Sequence, residues 1–379
     1  MQVDRRSFVL GAGVAALLPA TAAAADDVVR IPITLTDRRV LVACSIGGSG
    51  PLPFVFDTGG AFGLIDMALA ESLQLRRMGA LSLSLKLDGN VGRRSHPLFA
   101  ARNLAFGGQV RQPEAVFAGV ADFFPAGEAG SLAAGVLSTM NSELDFGANE
   151  WRIHRSGVPD RAGWTRYDRA IVRQAHRNGS AFLFADAMLG GRSFRLGLDT
   201  GMLTGLRIYR KTAEAADLWN APRWTPAAPG GRARMARLPA LTLAGTQVDG
   251  LVVAMLEQPE WDVFDAGIIG LPLLRRFDMA TDPASGATFL RRNALPAEPD
   301  RYNRAGMWID RDVGGVKVGP VGPGSPAAAA GLAPGDRLVG ADFAALVERV
   351  YAPAGTQIPL TVERGGARRE VELTLADFL

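Results

Sequence analysis

Two stretches of the chain place an acid at the end of an apolar run: "PFVFDTGGAFGL" at residues 53–64 and "RLGLDTGMLTGL" at 195–206. A single Asp-Thr-Gly after a strand reads equally well as a turn in which the Asp side chain caps the backbone beyond it. Two copies read differently. Laid over one another, Asp57 meets Asp199, Gly63 meets Gly205 and Leu64 meets Leu206, an offset of 199 − 57 = 142. If a pseudo-two-fold arrangement brings the strand ends together, Asp57 faces Asp199. Gly59 and Gly201 then allow the loops to approach closely, and the hydroxyls of Thr58 and Thr200 can bond the opposite loop and hold the acids in place. Two carboxylates about 4 Å apart repel by about 4 kcal/mol at an effective dielectric of 20. That separates their ionisations by about three pKa units, so one stays protonated while the other is charged. A water between them meets a base and an acid at once, which suits amide hydrolysis without a covalent intermediate.

The elements that must position these acids recur as well. "LAFGGQV" (104–110) resembles "LTLAGTQV" (241–248), and "AAGVLSTMNSELDF" (133–146) resembles "DAGIIGLPLLRRFD" (265–278), which opposes Ser138 to Gly270. Three stretches in the same order indicate a duplicated unit. Short apolar runs such as 40–46, 54–56, 81–87 and 251–256, divided by Gly, Pro and Asp, predict strands. Residues 66–75 and 210–219 predict short helices at matching places. The halves are taken as 27–158 and 159–293, followed by a polar, proline-containing linker at 294–304. A third domain over 305–379 combines strands, an Ala-rich helix and a Gly-Gly hairpin turn.

The opening residues, 1–25, carry Arg5-Arg6, Phe8, a short apolar run and a small-residue tail. This is the layout of a cleaved twin-arginine export signal, shorter than the roughly 20 apolar residues of a membrane span. The expected location is therefore exported, in a bacterial periplasm. The net charge of +3 arises from arginines that are scattered, and only three of the 379 residues are lysine. With no basic stripe, nucleic-acid binding has no support. Cys44 is the one cysteine and reads as a small buried strand residue, which excludes an internal disulfide. His96, His154 and His176 have no metal-type spacing, so neither a metal nor a cofactor is expected.

With these residues in view, the chain resembles the aspartic proteases, the group that includes pepsins and retropepsins. Asp57-Thr58-Gly59 and Asp199-Thr200-Gly201 match the catalytic triplet of that family. "AGIIGLPLL" (266–274) matches its hydrophobic-hydrophobic-Gly support element, and "AAGVLSTM" (133–140) matches it more loosely. The resemblance implies a mainly β, bilobal fold, two pseudo-symmetric lobes each giving one catalytic Asp to a peptide cleft, and a monomer sufficient for activity. The resemblance makes Gly89, Asn90, Val91 and Gly92 the candidate flap positions in the first half, with Gly230 and Gly231 as the counterpart in the second; an ordinary hairpin turn is the alternative reading at either place. The family commonly has Ser, Thr or Ala after the triplet, whereas this chain has Gly60 and Met202. Without those hydroxyls the dyad should titrate at higher pH. "GSPAAAAGLAPGDRL" (324–338) resembles PDZ domains of bacterial envelope proteases, small α+β modules that bind extended peptides by strand addition. That resemblance implies C-terminal peptide ligands held near Gly306, Met307, Trp308 and Ile309. The expected activity is an exported aspartic endopeptidase acting on peptides or proteins. The alternatives are a catalytically inactive peptide-binding protein that keeps the protease shape and, more remotely, a structural envelope scaffold.

Overall fold

The computed structural model describes residues 18–19, 27–85, 94–173, 179–228, 230–259, 262–313 and 315–379. The expected signal cleavage near residue 25 lies outside these residues, as do Gly89, Asn90, Val91 and Gly92. The protein is mainly β, with 50% of it in strands and 10% in helix. Among the described residues, no helix is long and apolar enough to cross a membrane. The chain forms two compact units. The first runs up to Asp186 and adds Leu196–Leu203 and Ile269–Ala297, and the second comprises Ala187–Arg195, Thr204–Ile268 and Glu298–Leu379.

In the first unit one long sheet carries the strand that leads to Asp57. Val28–Leu35, Val40–Ile46 and Ser49–Phe56 run antiparallel in sequence. The Val40–Ile46 strand alternates buried and less buried residues as a period of two requires. Its Cys44 is buried and unbridged, and burial pushes its thiol up to about 12. The Ser49–Phe56 strand ends in three buried residues, Phe54, Val55 and Phe56, and pairs parallel with Gly130–Leu132. Buried on both faces, its last turn is held rigidly where the acid emerges. Gly63–Asp66 then leads into the helix Met67–Ser72, where the Asp66 carboxylate accepts the Leu69 N–H at 2.9 Å as an N-cap. Arg76–Leu85 and Arg94–Phe106 form a long hairpin, whose second strand continues through a turn into Val110–Val120.

The repeated half follows the same plan. Leu206–Tyr209 leads into the helix Arg210–Ala215 and pairs parallel with Val252–Leu256, as Gly63–Asp66 pairs parallel with Val110–Val120. The recurrent "GG" and "AG" are equivalent turns. Gly107 and Gly108 have φ of 54° and 71°, and Ala244 and Gly245 have 48° and 70°. Positive φ at both central positions matches the twist of a two-residue hairpin. Within the second unit, Thr225–Ala227 and Ala233–Arg237 form a short hairpin, and Gly230 and Gly231 lie in its turn.

The C-terminal residues of the second unit build a five-stranded sheet in the order Met307–Asp312, Gly315–Val321, Arg337–Val339, Gln357–Arg364, Ala367–Thr374. Ser325 caps the helix Pro326–Ala329, accepting the Ala328 N–H at 3.2 Å, and Pro326 sits where its missing N–H costs nothing. Asp336 is buried under a bidentate Arg364, at 2.6 and 2.7 Å. The stretch expected as a linker is only partly one, because Tyr302 and Asn303 are 0% and 4% exposed.

One buried charge cluster in the first unit ties Ser142–Asp145 to Glu150–His154. Glu143 is buried, with Arg152 Nη1 2.8 Å from Oε1, Arg161 Nη1 bonded to Oε2 and His154 Nε2 3.5 Å from Oε2. Burial alone would raise its pKa. The bonds from His154 and Arg161 and the charges of Arg161 and Arg152 outweigh burial, lowering it from the ordinary 4.5 to about 2. A depressed carboxylate stabilises the fold above its unfolded pKa and loses that contribution as pH falls from about 4.5 toward 2. Glu143→Gln leaves the partly buried Arg161 guanidinium facing a neutral amide, while Arg152 keeps Asp145 and Glu150. It should cost on the order of 3 kcal/mol near neutral pH, read as a lower urea midpoint, and the gap to the parent protein should close in acid. Equal midpoints at neutral pH would show that the cluster contributes nothing.

Candidate active site

Leu196–Asp199, the end of the strand Arg192–Asp199, belongs to the first unit, so Asp57 and Asp199 meet there. Thr58 and Thr200 are both 0% exposed and bond crosswise. Thr58 Oγ1 donates to Leu198 O at 2.7 Å, and Thr200 Oγ1 donates to Phe56 O. In return the Thr58 N–H donates to Thr200 Oγ1 at 3.2 Å and the Thr200 N–H to Thr58 Oγ1 at 3.0 Å. Each hydroxyl is saturated by the opposite loop, which satisfies four buried polar groups that would be costly unpaired. Valine has the same outline and no hydroxyl, so a hydroxyl residue is required at 58 and 200.

The glycines make the same approach possible. A Cβ on Gly59 would overlap the Asp199 carboxyl, and one on Gly201 would lie 2.6 Å from Asp57 Oδ1. Each acid therefore rests against the glycine of the other triplet. Asp57 Oδ1 accepts the Gly59 N–H at 3.0 Å. Asp199 Oδ1 accepts two N–H groups, from Gly201 at 2.8 Å and Met202 at 3.1 Å. Both acids are half-buried, which leaves them within reach of a small reactant. Burial first, and the neighbouring Asp199 charge second, hold the Asp57 carboxyl well above the usual carboxylate range, against the lowering effect of the Gly59 N–H. The titration belongs to the pair.

The support elements correct the sequence alignment. The Asp57 N–H bonds Leu132 O at 3.0 Å, and the Ala134 N–H bonds Gly60 O at 3.1 Å. In the repeat, the Leu271 N–H bonds Met202 O at 2.9 Å. Ala134 is thus the counterpart of Leu271, and Ala133, not Ser138, stands where the repeat has Gly270. The offset is 142 at the acids and 271 − 134 = 137 at their supports. Ser138 lies one turn on, buried in the helix Gly135–Ser138. The support at residues 132–134 was misplaced because a Leu-Ala-Ala run carries no motif. The signal that could have found it is the spacing to the next acids, since Asp145 and Asp282 share the 137 offset and both accept N–H groups from the turns that follow them.

Gly60 lacks the hydroxyl expected after the triplet, and a Cβ there would sit 3.0 Å from Asp57 Oδ2. Gly60→Ser should set a hydroxyl beside that oxygen and stabilise the charged form of the pair. If the pair drives catalysis, the alkaline limb of the pH–rate profile should move to lower pH by roughly one unit. An unmoved limb would place the titration elsewhere.

The remaining sequence-selected residues lie in the second unit. Gly306, Met307, Trp308 and Ile309 open the first strand of the C-terminal sheet, with Met307 and Ile309 in its core. Of these, Gly306 has its N–H committed within the chain: it donates to Asn303 Oδ1 at 3.0 Å, as does the preceding Ala305 N–H. Among the described residues no group of histidines, cysteines and acids could hold a metal. His96 Nδ1 lies 3.3 Å from Gly119 O and His154 beside Glu143, while His176 is outside the described residues. Comparison with known proteins yields no matching family model and no matching curated sequence.

Proposed function

We propose that this chain is an aspartic endopeptidase, in which Asp57 and Asp199 activate one water against a peptide bond. The observation that carries this reading is the crosswise seating of the two triplets, with each threonine bonded to the opposite strand and each acid against the opposite glycine. A turn-capping role needs no such reciprocity, since an Asp turn is complete within its own loop. The bilobal protease fold, the C-terminal PDZ fold and export to a periplasm belong to the same proposal.

Burial and the neighbouring Asp199 hold the Asp57 carboxyl above the usual range, so the pair keeps one proton while its other member is charged. The charged acid of the pair takes a proton from the water as its oxygen attacks the carbonyl carbon, and the protonated acid gives its proton to the carbonyl oxygen. The resulting gem-diol then collapses, the amide nitrogen receives a proton, and the C–N bond breaks to give an acid and an amine. No covalent enzyme intermediate forms, and the collapse itself restores the dyad's single proton: the acid that took the water proton passes it to the amide nitrogen, and the other takes the proton of one gem-diol hydroxyl. The raised Asp57 carboxyl carries this chemistry to a less acidic pH than a dyad flanked by hydroxyls. The test is hydrolysis of an unfolded protein substrate by the parent protein and by its two single Asp→Asn variants.

A further inference from the structure

The C-terminal module touches the rest of the second unit through a surface that sequence alone would not select. Trp308, on the module's edge strand, faces the turn of the Thr225–Arg237 hairpin. A Cβ on Gly231 would lie 2.6 Å from its Cγ, and Gly231 has a φ of 72°. The indole is oriented by its own Nε1–H bond to Asp310 Oδ1 at 2.8 Å. Thr225 Oγ1 donates to the main-chain oxygen of Asn303 at 2.9 Å. A side chain at Gly322 would collide with Trp224 O, and one at Gly324 would meet Arg223 Cγ at 3.2 Å. Tyr302, fully buried, packs with Val252 and Phe378, and with Met235 of the hairpin. Arg237, at the end of that hairpin, pairs with Asp300 at 2.8 Å.

The loop expected to hold a ligand carboxylate is meanwhile occupied from within. Asn303 is 4% exposed, and its Nδ2 donates to Met307 O at 2.7 Å, so its amide cannot turn away from Ala305 and Gly306. The loop is fastened by three further bonds: Arg304 N–H to Val350 O, Ala327 N–H to Ala305 O and Gly322 N–H to Gly306 O. Where a free carboxylate would need backbone donors, an amide oxygen of the same chain already accepts them.

We propose that the C-terminal module is an internal brace whose partner is this chain's own hairpin. Its outer face, Trp308 together with Asn303 and Gly322, fixes Thr225–Arg237, and it is not a receptor for free peptide C-termini. Small residues at Gly231 and Gly322 let the surfaces meet, and Asn303 couples the closed loop to Thr225. The brace stands whether or not the chain hydrolyses peptides.

Hydrogen exchange of the full chain tests it. In Trp308→Ala the amides of 233–237 should exchange at least about tenfold faster, while those of Ile358, Leu360 and Val362 in the module's core stay unchanged. Thr225→Val, which removes the hydroxyl bond to the Asn303 main-chain oxygen from the hairpin side, should give the same pattern. Hairpin amides that keep their parent rates in both variants overturn the brace, and so does acceleration spread equally through the module's core in both. A pool of ten-residue peptides made once with free carboxylate ends and once with carboxamide ends gives an independent readout. Equal retention of the two pools is expected. Retention that depends on the carboxylate overturns the closed loop.

Discussion

Asp57→Asn and Asp199→Asn should each lower peptide hydrolysis by at least about a thousandfold while raising thermal stability. The catalytic loss follows from the roles of the pair. A base without its acid, or an acid without its base, removes one whole proton transfer from the step, and members of one unit fail together. The stability gain follows from the sign of the pKa shift. Asp57 is raised in the folded protein by burial and by Asp199. A raised carboxyl favours folding below its unfolded pKa, and that advantage is lost as pH rises toward the folded value. Near neutrality the pair is therefore a strain on the fold, and an uncharged amide relieves it. A rise of about 2 °C or more in Tm is expected for either variant. Lost activity with lowered Tm would point to a structural acid, such as a turn cap. Retained activity in both variants would sink the dyad outright. The inactive peptide-binding alternative makes a different forecast, in which neither substitution alters hydrolysis because none exceeds background.

Gly59→Ala should be nearly as damaging, although it adds only a methyl group and removes no polar atom. That methyl would overlap the Asp199 carboxyl, so either Asp199 leaves its place or the two loops part. Parting breaks the Thr58–Thr200 cross-bonds, and moving Asp199 takes its oxygen from the Gly201 and Met202 N–H groups. A displacement near 1 Å at reacting groups costs about a hundredfold in rate. We expect kcat to fall by at least that factor with KM little changed, together with a lower Tm. Gly60→Ala is the matched control. Its methyl would sit 3.0 Å from Asp57 Oδ2, a contact that a small movement relieves, and its loss should stay under about tenfold. Equal behaviour of the two variants would mean that the crosswise approach has no catalytic importance.

Much of this was legible in the residues because the relevant information is local. An apolar strand that ends in Asp-Thr-Gly dictates its own turn, and a second copy at a constant offset announces its partner. The helices at Met67–Ser72 and Arg210–Ala215, the paired positive-φ turns and the capped helix at Pro326 also follow from neighbouring residues. Register between distant segments does not. The slip from an offset of 142 at the acids to 137 at their supports comes from loops of unequal length, and a strand accepts any partner that presents free backbone groups. Alanine at 133 and 134 offers no side-chain signal of its place under Gly60.

By itself, then, the sequence determined the two acids, their threonines and glycines, and the repeated frame that brings each to a strand end, since these depend on residue type and short-range backbone geometry. Only the tertiary structure decided the rest. It set which carbonyls the threonine hydroxyls meet, which alanine supports the first acid, and how Glu143 is surrounded by Arg152, Arg161 and His154. It also showed that Asn303 fills the loop at Gly306 while Trp308 turns toward Gly231. In each case the deciding contact joins residues far apart in the chain, and close packing selects it where local preference is silent.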